Sequence, residues 1–431
     1  MLQQKKEIIG RLIQDFIQQP VKKVLPRQVE IKFFYNLRKV YTIIWPRRAG
    51  KSYFCFQTIN ELLKNGVKKE QILYFNLETD EVDLLSTDDL NLILETYFEI
   101  VGFDEKVVYY IFLDEIQNVV NWEKFVRKIL DSFDNIQLVI TGSSSKLLSK
   151  EISTSLRWRS LVYEVFPLNF QELLKWKQLD KRYLSTKEKI KFNQLKNNFF
   201  QWWWFPEIVF VNYEENIKIL KDYFDLIFYK DVIERYRFKD IKKLKDFRKY
   251  LISFVGDFFS FSRLEKALWV NFRSLQAWFE AFENAFLIFE IKKFSFSVLS
   301  QQKSLGKIYV IDNGFYSLLF SHYKEDFGKL FENLVFLELR KAWFVENENI
   351  FYYKDSTYDI DLILFKNWKI IPIQVSYFLE EKNFEREVIK LQKFVDKFNL
   401  EKGLVVVFDW REEKIGKINV VRFEDFINFI D

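Results

Sequence analysis

Residues 43–52 read IIWPRRAGKS and end in a glycine, a lysine and a serine. This is the second half of the pattern G-x-x-x-x-G-K-[ST], whose backbone N–H groups cradle phosphates at the start of a helix. In such a loop Lys51 reaches the β- and γ-phosphates, and the Ser52 hydroxyl ligates Mg²⁺. The sequence therefore predicts a triphosphate site lined by Pro46, Arg47, Arg48, Ala49, Gly50, Lys51, Ser52 and Tyr53.

Acidic and hydroxyl side chains follow two later strands of the same predicted sheet. The apolar run at 107–113 ends in Asp114 and Glu115, and the run at 136–141 ends in Thr141. Asp114 is predicted to hold Mg²⁺ through water, and Glu115 to polarise the attacking water. Because three successive strand ends carry matching chemistry, we interpret them as one site that binds ATP and Mg²⁺.

Trp45 stands where the first glycine of the phosphate-loop pattern belongs. That glycine allows a tight turn and close approach of the backbone to the ligand. If the position requires a positive φ, tryptophan there costs on the order of 1–3 kcal/mol. We therefore expect weakened nucleotide binding, up to its loss.

Glycine is scarce along the whole chain, with 11 residues against 12 tryptophans, and several tryptophans fall where a turn favours glycine. We interpret this as an alteration of part of the sequence.

Strands alternate with helices over the first 150 residues, which predicts an α/β fold: a parallel sheet with helices on both faces. A helical region follows, and the last hundred residues return to mixed α/β. The predicted domains are an ATPase core at 1–166, a helical lid at 167–238, a winged-helix-like segment at 239–318 and a nuclease-like domain at 319–431.

Composition excludes several classes of protein. One cysteine cannot build a disulfide framework, and one histidine cannot build a His-based metal site or a Ser-His-Asp triad. The formal net charge of +5 is too small to indicate nucleic-acid binding by itself. No apolar run is long enough to span a bilayer, and the N-terminus is too charged for a secretory signal. We therefore expect a cytoplasmic protein without a membrane partner.

Seven motifs occur in the order PRRAGKS, FLDEIQ, TGSSSKLLS, FPLNFQEL, ENAFLIFEIKKF, KIYVIDNGF and FENLVFLELR. In this order the chain resembles the prokaryotic AAA+-type P-loop ATPases that carry a C-terminal domain of uncharacterised function. The resemblance implies an arginine finger, which would be Arg159 or Arg157 and would need a neighbouring copy in a homo-oligomer. It also implies glycine at 158 and before Phe205, where tryptophans stand instead.

The C-terminal segment is similar to a PD-(D/E)XK nuclease core, which uses acids to hold Mg²⁺ and a lysine to assist the attacking water. Glu332 lies on a predicted helix and Asp361 on a strand, but Gln374 stands where a second acid belongs and the lysine is missing. We interpret the domain as a degenerate, restriction-endonuclease-like fold used for binding. An ordinary α/β domain with surface acids, and an active nuclease, stay open.

Three functions remain open. The first is a Mg-dependent ATPase that couples hydrolysis to rearrangement of its C-terminal half on a protein or DNA partner. The second is a nucleotide-regulated binding module or switch with little or no hydrolysis. The third is an ATP-gated nuclease. Glu115 favours the first, whereas Trp45 and the missing lysine favour the second.

Overall fold

The computed structural model describes residues 2–78, 87–143, 156, 158–179, 185–201, 205–320, 326–410 and 412–430. Arg157 and the tryptophans at 202–204 lie outside these ranges. The chain divides into two units, Met1–Leu168 and Asn169–Asp431. The finer division into four domains stays a prediction.

The first unit is built on a five-stranded sheet in which every described pair is parallel. Its order is β2-β3-β4-β1-β5, so β1 lies between β4 and β5. Nearly every residue of the central strands is buried, which is typical of a parallel sheet covered on both faces. The strands are β1 (Val40–Ile44), β2 (Ile72–Asn76), β3 (Tyr109–Asp114), β4 (Ile136–Gly142) and β5 (Ser160–Glu164).

The helices of the first unit are α1 (Leu2–Gln18), α2 (Lys51–Lys64), α3 (Thr87–Val101) and α4 (Trp122–Ser132). In α4 the buried positions recur at helical spacing, namely Trp122, Phe125, Val126, Ile129 and Leu130. The predicted parallel α/β sheet is confirmed. The sequence analysis missed β5, because its residues are only partly buried and show no continuous apolar run.

The second unit begins with helices and ends with a mixed sheet. Its described helices are α5 (Phe170–Trp176), α6 (Thr186–Gln201), α7 (Tyr213–Leu226), α8 (Ile241–Ser253), α9 (Phe261–Leu268), α10 (Phe272–Asn284), α11 (Val298–Lys303), α12 (Asn313–Phe320), α13 (Phe327–Lys341), α14 (Glu381–Phe384) and α15 (Lys390–Lys397). A π-helical stretch, Ile227–Glu234, continues α7, and a second, Glu385–Ile389, connects α14 to α15.

Two sheets complete the second unit. A three-stranded antiparallel sheet has the order β6-β8-β7, and a six-stranded mixed sheet has the order β13-β14-β12-β11-β10-β9. The mixed C-terminal sheet confirms the predicted mixed α/β character. The strands are β6 (Phe258–Phe259), β7 (Ile288–Ile291), β8 (Gly306–Val310), β9 (Ile350–Lys354), β10 (Asp359–Lys366), β11 (Lys369–Ser376), β12 (Gly403–Val407), β13 (Glu413–Ile415) and β14 (Ile418–Arg422).

A buried lysine ties the α6 helix to the end of the chain. Lys196 Nζ donates to the Phe408 carbonyl at 2.7 Å and lies 3.4 Å from a Glu424 carboxylate oxygen. Both charged side chains are almost fully buried. Removing one partner of such a pair leaves the other charge without compensation in a low-dielectric interior.

We expect Lys196→Met to lower the free energy of unfolding of the second unit by about 3 kcal/mol, because Glu424 loses its buried counter-ion. Denaturant unfolding followed by circular dichroism measures the change. Lys230→Met is the matched control, since Lys230 pairs with Glu234 at an exposed surface and should change stability by less than about 0.5 kcal/mol. Equal effects of the two substitutions would contradict this account.

Candidate nucleotide site

The phosphate-type loop connects β1 to α2 at the carboxyl edge of the parallel sheet. Gly50 has a φ of 98° and Arg48 a φ of 68°, so the left-handed turns of the loop lie there. Trp45 is not among the positive-φ residues, so the strain expected for that case does not arise. Its indole is fully buried, with its ring centroid 3.9 Å from that of Phe166.

Lys51 is the first residue of α2, and its ammonium is held inside the loop. Its Nζ donates to the carbonyl oxygens of Trp45 at 3.0 Å and Pro46 at 3.2 Å. The same Nζ lies 3.4 Å from a carboxylate oxygen of Glu115. The loop thus folds back over its own lysine, and the lysine faces the acidic end of β3.

Asp114 closes β3 and is held by hydroxyl groups from both neighbouring strands. Thr141, on β4, donates to one carboxylate oxygen, and the Tyr74 hydroxyl, on β2, donates to the other at 2.7 Å. The Ser52 hydroxyl also interacts with Tyr74. Burial and the nearby Asp114 carboxylate raise the pKa of Tyr74 well above its usual range, so this phenol stays a donor.

Glu115 directly follows β3 in the left-handed conformation, with a φ of 58°. Its backbone N–H donates to the Thr141 hydroxyl at 2.9 Å, which fixes the turn. One carboxylate oxygen accepts from the Gln117 side chain. Burial alone would raise the pKa of Glu115, but Lys51 and Gln117 outweigh it and lower the pKa. The group is therefore a carboxylate at neutral pH.

The chemistry of these residues fits a nucleoside triphosphate with a divalent cation. An ammonium lies beside the start of α2, where backbone N–H groups are unpaired by the helix itself. The predicted metal ligands, Ser52 and Asp114, both contact the same Tyr74 hydroxyl, which brings their oxygens close together. The structure thus brings together Lys51, Ser52, Asp114, Glu115 and Thr141.

The remaining predicted loop residues occupy different positions. Arg47 forms an ion pair with Glu78 at 2.5 Å, and Ala49 is buried. Tyr53 is more than half exposed. Pro46 and Arg48 contribute the backbone of the turn. Their contact with a nucleotide stays a prediction.

Two residues of the site were missed by sequence analysis. In the sequence, Tyr74 is one of several aromatic residues in an apolar strand. Its hydrogen bond to Asp114 becomes visible only when β2 is seen to lie beside β3. Arg27 precedes the sheet, and its guanidinium donates to the Ala49 carbonyl at 3.3 Å and to the Phe166 carbonyl at 2.5 Å. It therefore fixes the back of the loop, although no motif indicates it.

Arg159 lies at the opposite, amino edge of the sheet, immediately before β5. Its carbonyl accepts from the Val40 N–H, and its guanidinium pairs with Asp131 at 2.5 Å. It does not reach the loop of its own chain. A finger that acts on a neighbouring copy does not need to do so, and this role stays a prediction.

The predicted nuclease residues form a buried cluster in the second unit. Glu332, on α13, accepts from the Tyr309 hydroxyl at 2.5 Å and lies 2.6 Å from Lys307 Nζ. Asp361, on β10, is 3.8 Å from the same ammonium and accepts from the Val375 N–H. The ammonium of Lys307, which belongs to β8, thus lies against both acids.

Gln374 is nine-tenths buried on β11, and its side chain hydrogen-bonds Glu387. Burial raises the pKa of Glu332 to about 7, with Lys307 acting in the opposite direction. Burial also raises the pKa of Asp361. The Lys307 ammonium lies within 4 Å of both acids and offsets their charge. Among the residues that the structure describes, no cluster of three or more metal-ligating side chains occurs.

Arg263, Lys266 and Arg273 lie at exposed positions of α9 and α10. The winged-helix-like character of this segment stays a prediction. Across the described ranges, no helix is both long and apolar enough to cross a membrane.

Comparison with known proteins places the site in a family. Residues 37–174 match an AAA domain, residues 203–326 a domain of unknown function (DUF8612) and residues 327–426 a second one (DUF4143). The crystal structure of Cdc6p from Pyrobaculum aerophilum is 11% identical, covering 65% of this chain and 86% of that one, with a TM-score of 0.27. This similarity is too weak to support an inference.

Two relatives match almost the whole chain. An uncharacterized protein of Haemophilus influenzae is 28% identical over 88% of this chain and 92% of its own length. The uncharacterized protein MJ1544 of Methanocaldococcus jannaschii is 40% identical over 95% of this chain and 90% of its own length. The chain therefore belongs to the same family as the Methanocaldococcus jannaschii protein, and its first unit carries an AAA domain of the nucleotide-binding, ATPase type.

Proposed function

We propose that the protein is a Mg-dependent ATPase that hydrolyses ATP at the carboxyl edge of its parallel sheet. One observation carries the proposal. Lys51, at the start of α2, lies 3.4 Å from Glu115, at the end of β3, and Thr141, at the end of β4, contacts both Asp114 and Glu115. Three neighbouring strand ends therefore supply the cationic, acidic and hydroxyl groups of one site.

Each side chain has a distinct role in this proposal. The Lys51 ammonium exchanges its loop carbonyls for phosphate oxygens, and Ser52 and Asp114 are the residues that hold Mg²⁺. Bound Mg²⁺ would neutralise charge that develops on the phosphates. Glu115 is deprotonated and positioned by Gln117, so its carboxylate can accept a proton from the attacking water. Tyr74 and Thr141 position the Asp114 carboxylate.

We expect Lys51→Ala to lose ATP binding, because the ammonium that would contact the β- and γ-phosphates is removed. Glu115→Gln should keep binding but lower phosphate release by a factor on the order of 10² or more. A malachite-green assay measures release, and a fluorescent ATP analogue measures binding. Lys64→Ala, at the exposed end of the same α2 helix, is the control and should behave as wild type.

Equal phosphate release by wild type, Lys51→Ala and Glu115→Gln would show that this site is not the source. Tight binding without release in the wild type would instead favour the nucleotide-regulated switch. The coupling of hydrolysis to rearrangement of the C-terminal half, on a protein or DNA partner, belongs to the same proposal and rests on the attachment of two further domains.

Arg159 is proposed to act as a finger toward the nucleotide of a second copy. We expect Arg159→Ala to lower the ATPase rate by about 10³-fold while ATP binding is retained. Arg38→Ala is the matched control, since Arg38 also pairs with an aspartate, Asp134, near the amino edge of the sheet. A specific rate that rises with protein concentration in the wild type and in Arg38→Ala, but not in Arg159→Ala, would support the trans arrangement. Equal rates for the two variants would contradict it.

We propose further that the Glu332 cluster is a structural centre without nuclease activity. Lys307 Nζ lies 2.6 Å from Glu332, which is buried, and 3.8 Å from Asp361, whose side chain is 19% exposed. Plasmid incubated with the protein and Mg²⁺ or Mn²⁺ should remain intact. Cleavage that Asp361→Ala abolishes would overturn this proposal and favour the ATP-gated nuclease.

The cluster also predicts a pH dependence of stability. The folded-state pKa of Glu332, about 7, lies above its unfolded value. The stabilising contribution of Glu332 to the free energy of unfolding is therefore complete below about pH 4 and is lost as pH rises through about 7. We expect Glu332→Gln to flatten the fall of unfolding free energy across this window, measured by urea unfolding at several pH values. Glu214→Gln, at an exposed position of α7, should retain the wild-type slope.

A further inference from the structure

Four tryptophans adopt a left-handed backbone conformation. Trp158, Trp269, Trp343 and Trp368 have φ values of 58°, 53°, 69° and 63°. Such angles bring Cβ too close to the backbone in residues other than glycine, and for a bulky residue they are rare outliers. All four side chains are exposed, from 48% at Trp343 to 92% at Trp368, so little burial of the indoles offsets the backbone strain.

Trp368 occupies the turn of the hairpin between β10 and β11. Lys366 and Lys369 pair across the strands, which leaves Asn367 and Trp368 as a two-residue loop. Both have positive φ, as a type I′ turn requires. The favoured sequence for this turn is Asn-Gly. Trp368 occupies the glycine position and is 92% exposed, with one edge-to-face ring contact, to Phe365 at 6.0 Å.

Trp343 ends the α13 helix in a Schellman motif. Its N–H donates to the Arg340 carbonyl at 3.0 Å, and the Phe344 N–H donates to the Leu339 carbonyl at 3.2 Å. The residue at this position, C′, is usually glycine. At the end of α2 the same C′ position is occupied by Gly66, with a φ of 88°, and the same pattern of two hydrogen bonds closes that helix.

The other two positions are also turns that favour glycine. Trp269 ends α9 in the left-handed conformation and is 87% exposed. Trp158 is the third residue of a turn that is closed by the Arg159 N–H and the Leu156 carbonyl. A positive φ at the third position of such a turn is the geometry that requires glycine in type II.

Tryptophans elsewhere in the chain behave differently. Trp122 and Trp278 are helical, and both are buried. The tryptophans of the described residues thus include one group that packs and another that occupies glycine geometry. A surface that binds a partner through indoles would not require positive φ at each of them.

We propose that residues 158, 269, 343 and 368 are glycine in the protein as its own cell makes it. The codon at these four positions is translated as tryptophan in the sequence given, but the source cell translates it as glycine. Trp45 shares neither the positive φ nor the exposure of these four, and its assignment to glycine depends only on its place in the phosphate-loop pattern. This last assignment rests on the proposed ATPase function, whereas the other four do not.

Thermal unfolding tests the backbone assignment. We expect Trp343→Gly and Trp368→Gly each to raise the melting temperature by about 2–4 °C, because each substitution relieves left-handed strain. Trp278→Gly is the matched control and should lower it, since the side chain is buried in a helix. A fall in melting temperature for both exposed variants would overturn the proposal.

Coding sequence and peptide masses test the decoding directly. The codon for the four positive-φ positions should be UGA, whereas Trp122 and Trp278 should be encoded by UGG. Tandem mass spectrometry of the protein from its source organism should show glycine at 343 and 368. Tryptophan in those peptides would overturn the proposal.

Nucleotide binding tests the assignment of Trp45 separately from the assignments of the four exposed tryptophans. Trp45→Gly should tighten binding of a fluorescent ATP analogue several-fold. If Trp343→Gly and Trp368→Gly stabilise the protein but Trp45→Gly does not bind the analogue, the glycine assignment stands and the proposed ATP site fails. If Trp45→Gly binds while the two exposed variants lose stability, the ATP site stands and the glycine assignment fails.

Discussion

The buried contact between Lys51 and Glu115 is the interaction on which the proposed chemistry depends. Each side chain is close to fully buried, and each is the nearest opposite charge to the other, so loss of either removes the main compensation of its partner. The pair forms only because β1, β3 and β4 lie next to one another with parallel direction. Their carboxyl ends then open toward the same edge, which is where open α/β sheets bind ligands. A different strand order would separate the lysine from the acid.

The proximity of Lys51, Asp114 and Glu115 could be predicted from sequence because parallel strands end at one edge whatever their order. The apolar run before Asp114 and the helix after Gly50 were enough to place both groups there. The order of the five strands could not be predicted, because several orders satisfy the same pattern of strand and helix. The role of Tyr74 depends on that order, since its hydroxyl reaches Asp114 only from the neighbouring strand.

The cluster of Glu332, Asp361 and Lys307 could not be predicted from sequence in the same way. The sequence pattern indicated that the acids lacked their lysine, because the motif places it two residues from the second acid on the same strand. Lys307 instead comes from the three-stranded sheet and is separated from Asp361 by more than 50 residues along the chain. No local pattern connects such residues. The ammonium beside both acids offsets their charge, and the proposal of a structural centre without nuclease activity rests on that contact.

The tryptophans illustrate what a sequence and a structure each contribute. A count of glycine and tryptophan indicates that something is unusual, but it cannot separate a core indole from a misplaced one. The backbone angle makes that separation, because a residue with a Cβ avoids positive φ unless other interactions compensate. At Trp368 the hydrogen bonds of the hairpin impose the turn, and the indole, 92% exposed, adds only an edge-to-face contact with Phe365. The conformation is therefore a property of the fold, and the side chain is incidental to it. By this criterion Trp45 differs from the four exposed tryptophans, because its φ is not positive. Only the proposed chemistry of the loop connects it with glycine.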